Sequence, residues 1–268
     1  MFREITLGQY YQTDSLLHRL DPRVKVAGVF FYIISLFLID RFAGYLAAGA
    51  FLFAAVALSR VPFRYILNGM RPVLFLLSIT VLFNLFLTPG EHVLWRFWRL
   101  QLTMEGGRFA LKMAFRLIFL ITASTLMTLT TTPNQMTDAL EKLLRPLRRL
   151  HVPVHEIAMM MSIALRFIPI LTEELDKIQK AQMARGADFE SGGLLARVRA
   201  MVPLLVPLFI AAFRRANDLA MAMEARCYRG GEGRTRMKPL RYQRRDGVAY
   251  LVLILYFAAA AATRAVPF

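Results

Sequence analysis

A single cysteine, Cys227, stands in 268 residues. It excludes an intrachain disulfide and suits a reducing compartment. Charge is scarce as well: 19% of the residues are Asp, Glu, Lys or Arg, where soluble domains carry about a quarter. Acidic residues are the rarer kind, 18 against 34 basic, which leaves a net charge of +16. Such an excess first suggests nucleic acid. Its distribution argues against that partner, because the basic residues sit between long apolar runs and are not gathered on one polar face. No G-x-x-x-x-G-K-S/T phosphate loop is present. The glycine-rich "RGGEGR" (Arg229–Arg234) lacks the Lys-Ser/Thr pair and follows no strand, so it reads as a turn. The chain therefore has no such route to ATP. Its opening, "MFREITLGQYYQTDSLLHRLDPRVKV", is polar and does not read as a cleavable signal peptide.

What the chain does have is apolar sequence, 57% of it hydrophobic with 21 Phe and 14 Met. Charge-free stretches cover 26–39, 42–59, 72–90, 117–137 and 247–263. A spanning helix needs about 20 residues, so these read as five transmembrane helices. The first is short, and Val24 and Lys25 extend it with the lysine snorkelling to the headgroups. Two shorter runs, Ile157–Leu165 and Ala200–Phe213, are bounded by arginines and read as buried or interfacial helices. With the N-terminus cytoplasmic, the inner segments 1–25, 60–71 and 132–246 hold 4, 3 and 20 of the basic residues. The outer side holds seven: Arg41, Arg96, Arg99, Arg108, Lys112, Arg116 and Arg264. That bias sets the orientation. The outer connection "EHVLWRFWRLQLTMEGG", with Trp95, Phe97 and Trp98, reads as an amphipathic interfacial segment. The domain plan is then 1–131 (N-terminal segment and four spans), 132–246 (a cytoplasmic module) and 247–268 (the last span).

The module reads as three long helices. Thr132–Pro133–Asn134 is a helix start. Met136, Leu140, Leu143, Leu144 and Leu147 follow at helical spacing, and Pro146 ends or kinks the helix. A second helix runs from near Pro153 to Gly186, and a third from after "ESGG" to near Cys227. Pro169, Pro203 and Pro207 bend them. From His155 to Arg185 is about 46 Å of helix, longer than a bilayer core is thick.

Both long helices end in one phrase. "AQMARGAD" (Ala181–Asp188) is echoed 41 residues later by "AMEARCYR" (Ala222–Arg229), with Ile178 matching Leu219. An arginine at a helix C-terminus complements the helix dipole and can bond the last carbonyls. Small neighbours on each side, Ala184 and Gly186, Ala225 and Cys227, let the tip enter a narrow groove. There a guanidinium can make bidentate bonds. Two similar tips suit two similar grooves.

On these residues the chain resembles the transmembrane T component of energy-coupling factor (ECF) transporters, the EcfT/CbiQ-like family. Leu7–Val26 is similar to that family's N-terminal segment. Thr130–Leu147 resembles its first coupling helix. Ala184–Arg185–Gly186 and Ala225–Arg226–Cys227 match its two X-Arg-X motifs, with Cys227 where glycine is more familiar. The N-terminal block looks closer to the shared, multi-substrate form than to the cobalt-dedicated relatives. The resemblance implies an all-α integral membrane protein of a prokaryotic cell membrane, non-catalytic and binding no cofactor itself. ATP and Mg would be used by two partner ABC ATPase subunits, each receiving one arginine tip. A substrate-binding S component for a vitamin or metal ion would dock on the apolar surface of the coupling helices. Candidate docking residues are Met159, Met160, Met161, Leu140 and Leu144, since methionine suits an adaptable surface.

In the N-terminal segment His18, Asp21, Pro22 and Arg23 read as an anchor, with Asp21 as N-cap and Pro22 at the first helical position. His151 and His155 are four apart and could ligate zinc on one face. Pro153 between them favours a polar helix start instead. Asn84, within the third span, is expected to bond a neighbouring helix. Two rivals stand beside the scaffold reading. One is a self-sufficient permease whose own spans form the substrate path, and the other a membrane enzyme built on the two histidines.

Overall fold

A computed structural model describes residues 10–88, 93–97, 100–189, 193–231 and 239–265. Of the sequence expectations, Trp98, the glycine loop at 190–192 and the end of "RGGEGR" lie outside the described residues. The protein is helical: α1 (Pro22–Leu38), α2 (Phe42–Ser59), α3 (Phe63–Leu87), α4 (Met104–Thr130), α5 (Pro133–Leu143), α6 (Val154–Ala184), α7 (Leu194–Ala225) and α8 (Arg244–Ala265). A 3₁₀ turn, Arg145–Leu150, follows α5, as Pro146 requires. The chain divides into two compact units, one of Gly8–Leu140 with Leu240–Phe268 and one built on Glu141–Pro239.

Among the described residues five helices are long and apolar enough to cross a membrane, Phe42–Ser59, Met104–Thr130, Val154–Ala184, Arg199–Ala225 and Arg244–Thr263, and the bent α3 makes a sixth if it counts as one span. Of these, α2 and α8 contain expected spans, and α4 holds only 117–130 of the expected 117–137, because the chain breaks at Thr131 and re-enters helix at Pro133. The other two are the long helices of the second unit, which the sequence broke into short runs. Pro169, Pro203 and Pro207 lie inside continuous helix, because each proline removes one backbone bond without stopping the flanking turns. α1 is a 17-residue helix. α3 bends by 63° between Arg71 and Val73, at the one position there that lacks an N–H.

The outer connection also differs from expectation. It forms a short antiparallel hairpin, β1 (Val93–Phe97) and β2 (Leu100–Thr103). α4 then begins at Met104, capped by Thr103, whose hydroxyl accepts from Gly106 N–H at 3.0 Å and donates to the Thr88 carbonyl at 3.0 Å. Arg108, Lys112 and Arg116 therefore stand on the first turns of α4, not in a loop. Their four-residue spacing puts them on one helical face.

The first unit has its core where α1, α2, α4 and α8 meet: Tyr32, Leu36, Ile39, Tyr45, Ala48, Leu52, Ala123, Tyr256 and Ala260. Most polar groups in it are paired; the Tyr45 hydroxyl is buried without a partner among the described residues. The Ser35 and Tyr256 hydroxyls lie 2.6 Å apart, and Tyr32 OH donates to the Ala48 carbonyl at 3.1 Å. Phe51 stacks on Tyr256 with ring centroids 4.4 Å apart. Small residues let helices approach closely, as apolar solvent favours: a Cβ at Gly69 of α3 would sit 2.8 Å from Thr125 of α4. Among the described residues Asn84 reaches no neighbouring helix. Its amide donates to the Thr80 carbonyl at 2.8 Å, one turn back on its own helix. In the lipid-like surroundings of a span, that local carbonyl satisfies the amide without a partner helix.

Candidate functional site

The two arginine phrases form the same backbone structure. At the end of α6, Arg185 is the C-cap. Gly186 N–H donates to Met183 O at 2.9 Å and Ala187 N–H to Gln182 O at 3.0 Å. At the end of α7, Arg226 is the C-cap. Cys227 N–H donates to Glu224 O at 2.8 Å and Tyr228 N–H to Met223 O at 3.0 Å. Each is a Schellman motif, with both orphan carbonyls of the last turn satisfied. The residue after each arginine takes the left-handed conformation: Gly186 at φ 90° and Cys227 at φ 54°. That position explains the departure seen in the sequence. Glycine adopts it freely, whereas a residue with a Cβ is strained there by about 1–2 kcal/mol.

Main-chain N–H groups bond the last carbonyls, so the arginine side chains are not consumed as caps. Residues Ala184–Gly186 and Ala225–Cys227 are all exposed. Among the described residues neither guanidinium has a hydrogen-bond or ion-pair partner.

Helices α6 and α7 cross in opposite directions. Arg215 Nη2 donates to Glu174 Oε2 at 2.9 Å. Towards the α6 end, Gln182 Nε2 makes a long 3.5 Å bond to Pro203 O. Pro207, four residues on, has no N–H to offer that carbonyl, so Gln182 substitutes for it. Glu174 and Arg215 are themselves 41 residues apart, equivalent under the repeat. Arg185 lies eleven residues beyond Glu174, and Arg226 eleven beyond Arg215. Each tip is thus about 16 Å of helix from the Glu174–Arg215 pair, at opposite ends of the two helices.

The apolar surface of these helices is unspent. Only 11% and 6% of the apolar stretches of α6 and α7 are buried. Met160 and Met161 are exposed, as are Leu144, Met183, Met201, Phe209 and Phe213. Met159 and Leu140 are half-buried. His151, at φ 59°, caps the 3₁₀ turn and is exposed. His155 points elsewhere: its Nδ1 lies 3.0 Å from Glu141 Oε1. Among the described residues no group of three or more His, Cys, Asp or Glu could hold a metal.

In the first unit, a polar knot ties the N-terminal segment to three helix ends. Asp21 caps α1 by accepting from Arg23 N–H at 2.9 Å, with Pro22 first in the helix. Arg23 grips the same carboxylate through Nε and Nη2 at 2.9 and 2.7 Å, and its guanidinium lies 3.7 Å from the Tyr242 ring centre. Burial pushes the Asp21 carboxyl up, but the Arg23 side-chain and backbone bonds outweigh it and hold it below its ordinary value. Asp21 N–H donates in turn to Asp246 at the start of α8, 2.9 Å away, and Asp246 also accepts from Gln243 N–H at 2.7 Å. Tyr11 N–H donates to Leu129 O of α4 at 2.9 Å.

His18 closes the segment on itself. Its Nε2 bonds the Tyr11 carbonyl at 3.0 Å, so that nitrogen carries the proton, and Nδ1 accepts from Ser15 Oγ at 2.6 Å. Burial holds the imidazole below its ordinary 6.5. Lys25 does not snorkel. It is 8% exposed, and its ammonium donates to the Thr130 carbonyl at 2.7 Å and to His18 O at 3.3 Å. The reason is the buried C-terminus of α4, whose last carbonyls attract a cation. Sequence reasoning missed Lys25, Thr130 and Asp246 as members of this knot. The only sequence sign was an acidic residue beside the basic start of the last span, "RRDG".

A family model described as CbiQ, cobalt transport protein, matches residues 13–237. The chain is similar to proteins named energy-coupling factor transporter transmembrane protein EcfT. The relative from Clostridium kluyveri is 51% identical over 258 residues, covering 95% of both chains. That from Thermosediminibacter oceani is 53% identical over 249 residues, 93% of this chain and 94% of the relative. That from Bacillus subtilis is 44% identical over 258 residues, 96% of this chain and 97% of the relative.

Proposed function

This chain belongs to the CbiQ family and is the transmembrane component of an energy-coupling factor transporter, and we propose that it transmits the motion of two cytoplasmic ATPases to a separate substrate-binding membrane protein. Hydrolysis of ATP with Mg belongs to the partners; this chain is the non-catalytic link. Each exposed arginine tip enters a groove on one ATPase and forms bidentate bonds to a carboxylate or to carbonyls there. One observation carries the reading. Two Schellman ends, those of α6 and α7, present two guanidinium groups that have no partner among the described residues. A pair of homologous ATPases related by a two-fold axis needs two such plugs. A Schellman end fixes the arginine's backbone, so little ordering remains to be done on docking.

The S component docks on the methionine- and phenylalanine-rich surface of the 132–246 module, with Met159, Met160, Met161, Leu140 and Leu144 as its candidate contacts. The N-terminus is cytoplasmic, and the knot of His18, Asp21, Pro22 and Arg23 anchors it. The cargo is a vitamin or a metal ion, captured by the S component, so this chain needs no substrate pocket.

The test is copurification. Removing one partner of a buried bidentate charge pair at an interface typically costs 2–5 kcal/mol, roughly 30- to 5,000-fold in affinity. Arg185→Ala and Arg226→Ala should insert in the membrane normally and lose stable ATPase association, the double variant most of all. Lysine at either position should rescue poorly, since it keeps the charge without the planar fork. Normal association and transport by both alanine variants would reduce the two arginines to ordinary helix ends.

A further inference from the structure

Glu141 on α5, His155 in the first turn of α6 and Gly231 beyond α7 meet in the second unit. His155 Nδ1 lies 3.0 Å from Glu141 Oε1, so the ring is held and cannot swing aside as a free side chain would. The backbone of Gly231 lies against that ring. A Cβ at Gly231 would fall 2.2 Å from His155 Cδ2, 2.7 Å from Cγ and 3.0 Å from Nε2. Only glycine fits. His155 Nε2 is buried there, without a partner among the described residues. Such a group normally carries a penalty, and here it accompanies a tight backbone contact.

The position of Gly231 gives the contact its meaning. It is three residues past Tyr228, which closes the Schellman end at Arg226. Nothing comparable follows the first tip among the described residues: a Cβ at Gly186 or at Gly193 would meet nothing within 4 Å. The two tips are alike in backbone and unlike in what they pull on.

We propose that Gly231 and His155 form a positioning contact that links the second tip, Arg226, through Glu141 to α5, so that the two ATPase arms drive the module unequally. The proposal rests on the tips being ATPase plugs. When the Arg226 groove moves, the short run Arg226–Gly231 carries the displacement to a ring that cannot yield, and Glu141 passes it to the last turn of α5. The first arm has no such route.

The test uses the complete transporter in proteoliposomes, reading substrate taken up per ATP hydrolysed, with assembly followed by size-exclusion chromatography. Gly231→Ala should leave ATPase association and basal hydrolysis as in wild type and lower uptake per ATP by roughly fivefold or more, the scale of ordinary site-to-site coupling. His155→Asn, which shortens the ring away from Gly231 without overpacking it, should do the same with full assembly. Because both break one link, the double variant should be no worse than either alone. Wild-type uptake per ATP in either single variant, or a double loss equal to the product of the two, overturns the contact. If Arg226→Ala still loses ATPase association in that case, the tip reading stands and only this link falls.

Discussion

Cys227 shows how a single side chain can be read once its backbone is known. It occupies the left-handed position of the second Schellman end, at φ 54°, and is exposed. Small size is therefore the lesser requirement, and tolerance of positive φ the greater. Cys227→Gly should raise stability by about 1 kcal/mol and leave ATPase association intact, which thermal unfolding and copurification would check. Cys227→Val, β-branched in the same conformation, should move both in the opposite direction. At the other end of the chain His18 is the residue that senses pH. Its neutral form donates to Tyr11 O and accepts from Ser15, and burial lowers its value below 6.5. A histidine with a depressed folded value stabilises fully above its unfolded value and less as pH falls below it, because the unfolded chain binds the proton more readily. As pH falls below 6.5 the 10–21 segment should loosen, seen as faster proteolysis there. His18→Gln, which can still donate to the Tyr11 carbonyl, should flatten that dependence.

Helices were legible wherever periodicity met a cap. Asp21–Pro22 placed the start of α1 to the residue. Thr132 announced α5, and the structure completes a capping box there: Gln135 N–H donates to Thr132 Oγ1 at 3.3 Å and Thr132 N–H to Gln135 Oε1 at 3.2 Å. The start of α4 was illegible because Arg108, Lys112 and Arg116 looked like loop charges between spans. Their spacing of four was the missed sign. The hairpin before it was hidden because aromatic residues suit an interfacial strand and an interfacial helix equally. The knot of Lys25, Thr130 and Asp246 was illegible for another reason: it joins positions over a hundred residues apart, and no local pattern encodes such a pairing. The arginine tips were legible as a repeat, but their Schellman hydrogen bonds and the left-handed φ were not. On α6 the exposed Met160 gives an element-level prediction. Met160→Ala should weaken different S components to different degrees, measured by competitive pull-down. Equal loss for all, in step with thermal stability, would mean the methionine packs and nothing more.

At the scale of the molecule, both units carry helices long and apolar enough to cross a membrane, and α6 and α7 of the second keep most of their apolar surface exposed. Such surface in a soluble protein marks an interface, and here it belongs to helices that end in two exposed cations. The basic residues of the inner segments set the expected orientation, with both tips on the cytoplasmic side. The central claim is that those tips are plugs. Cys227 tests it most directly, because it is the only thiol in the chain and neighbours Arg226. The measurement is the rate of maleimide labelling of Cys227 in the chain alone and in the complex with its two ATPases. The account predicts rapid labelling of the chain alone and strong protection on assembly. Equal labelling in both would contradict it, for a thiol beside a plugged arginine cannot stay open to solvent.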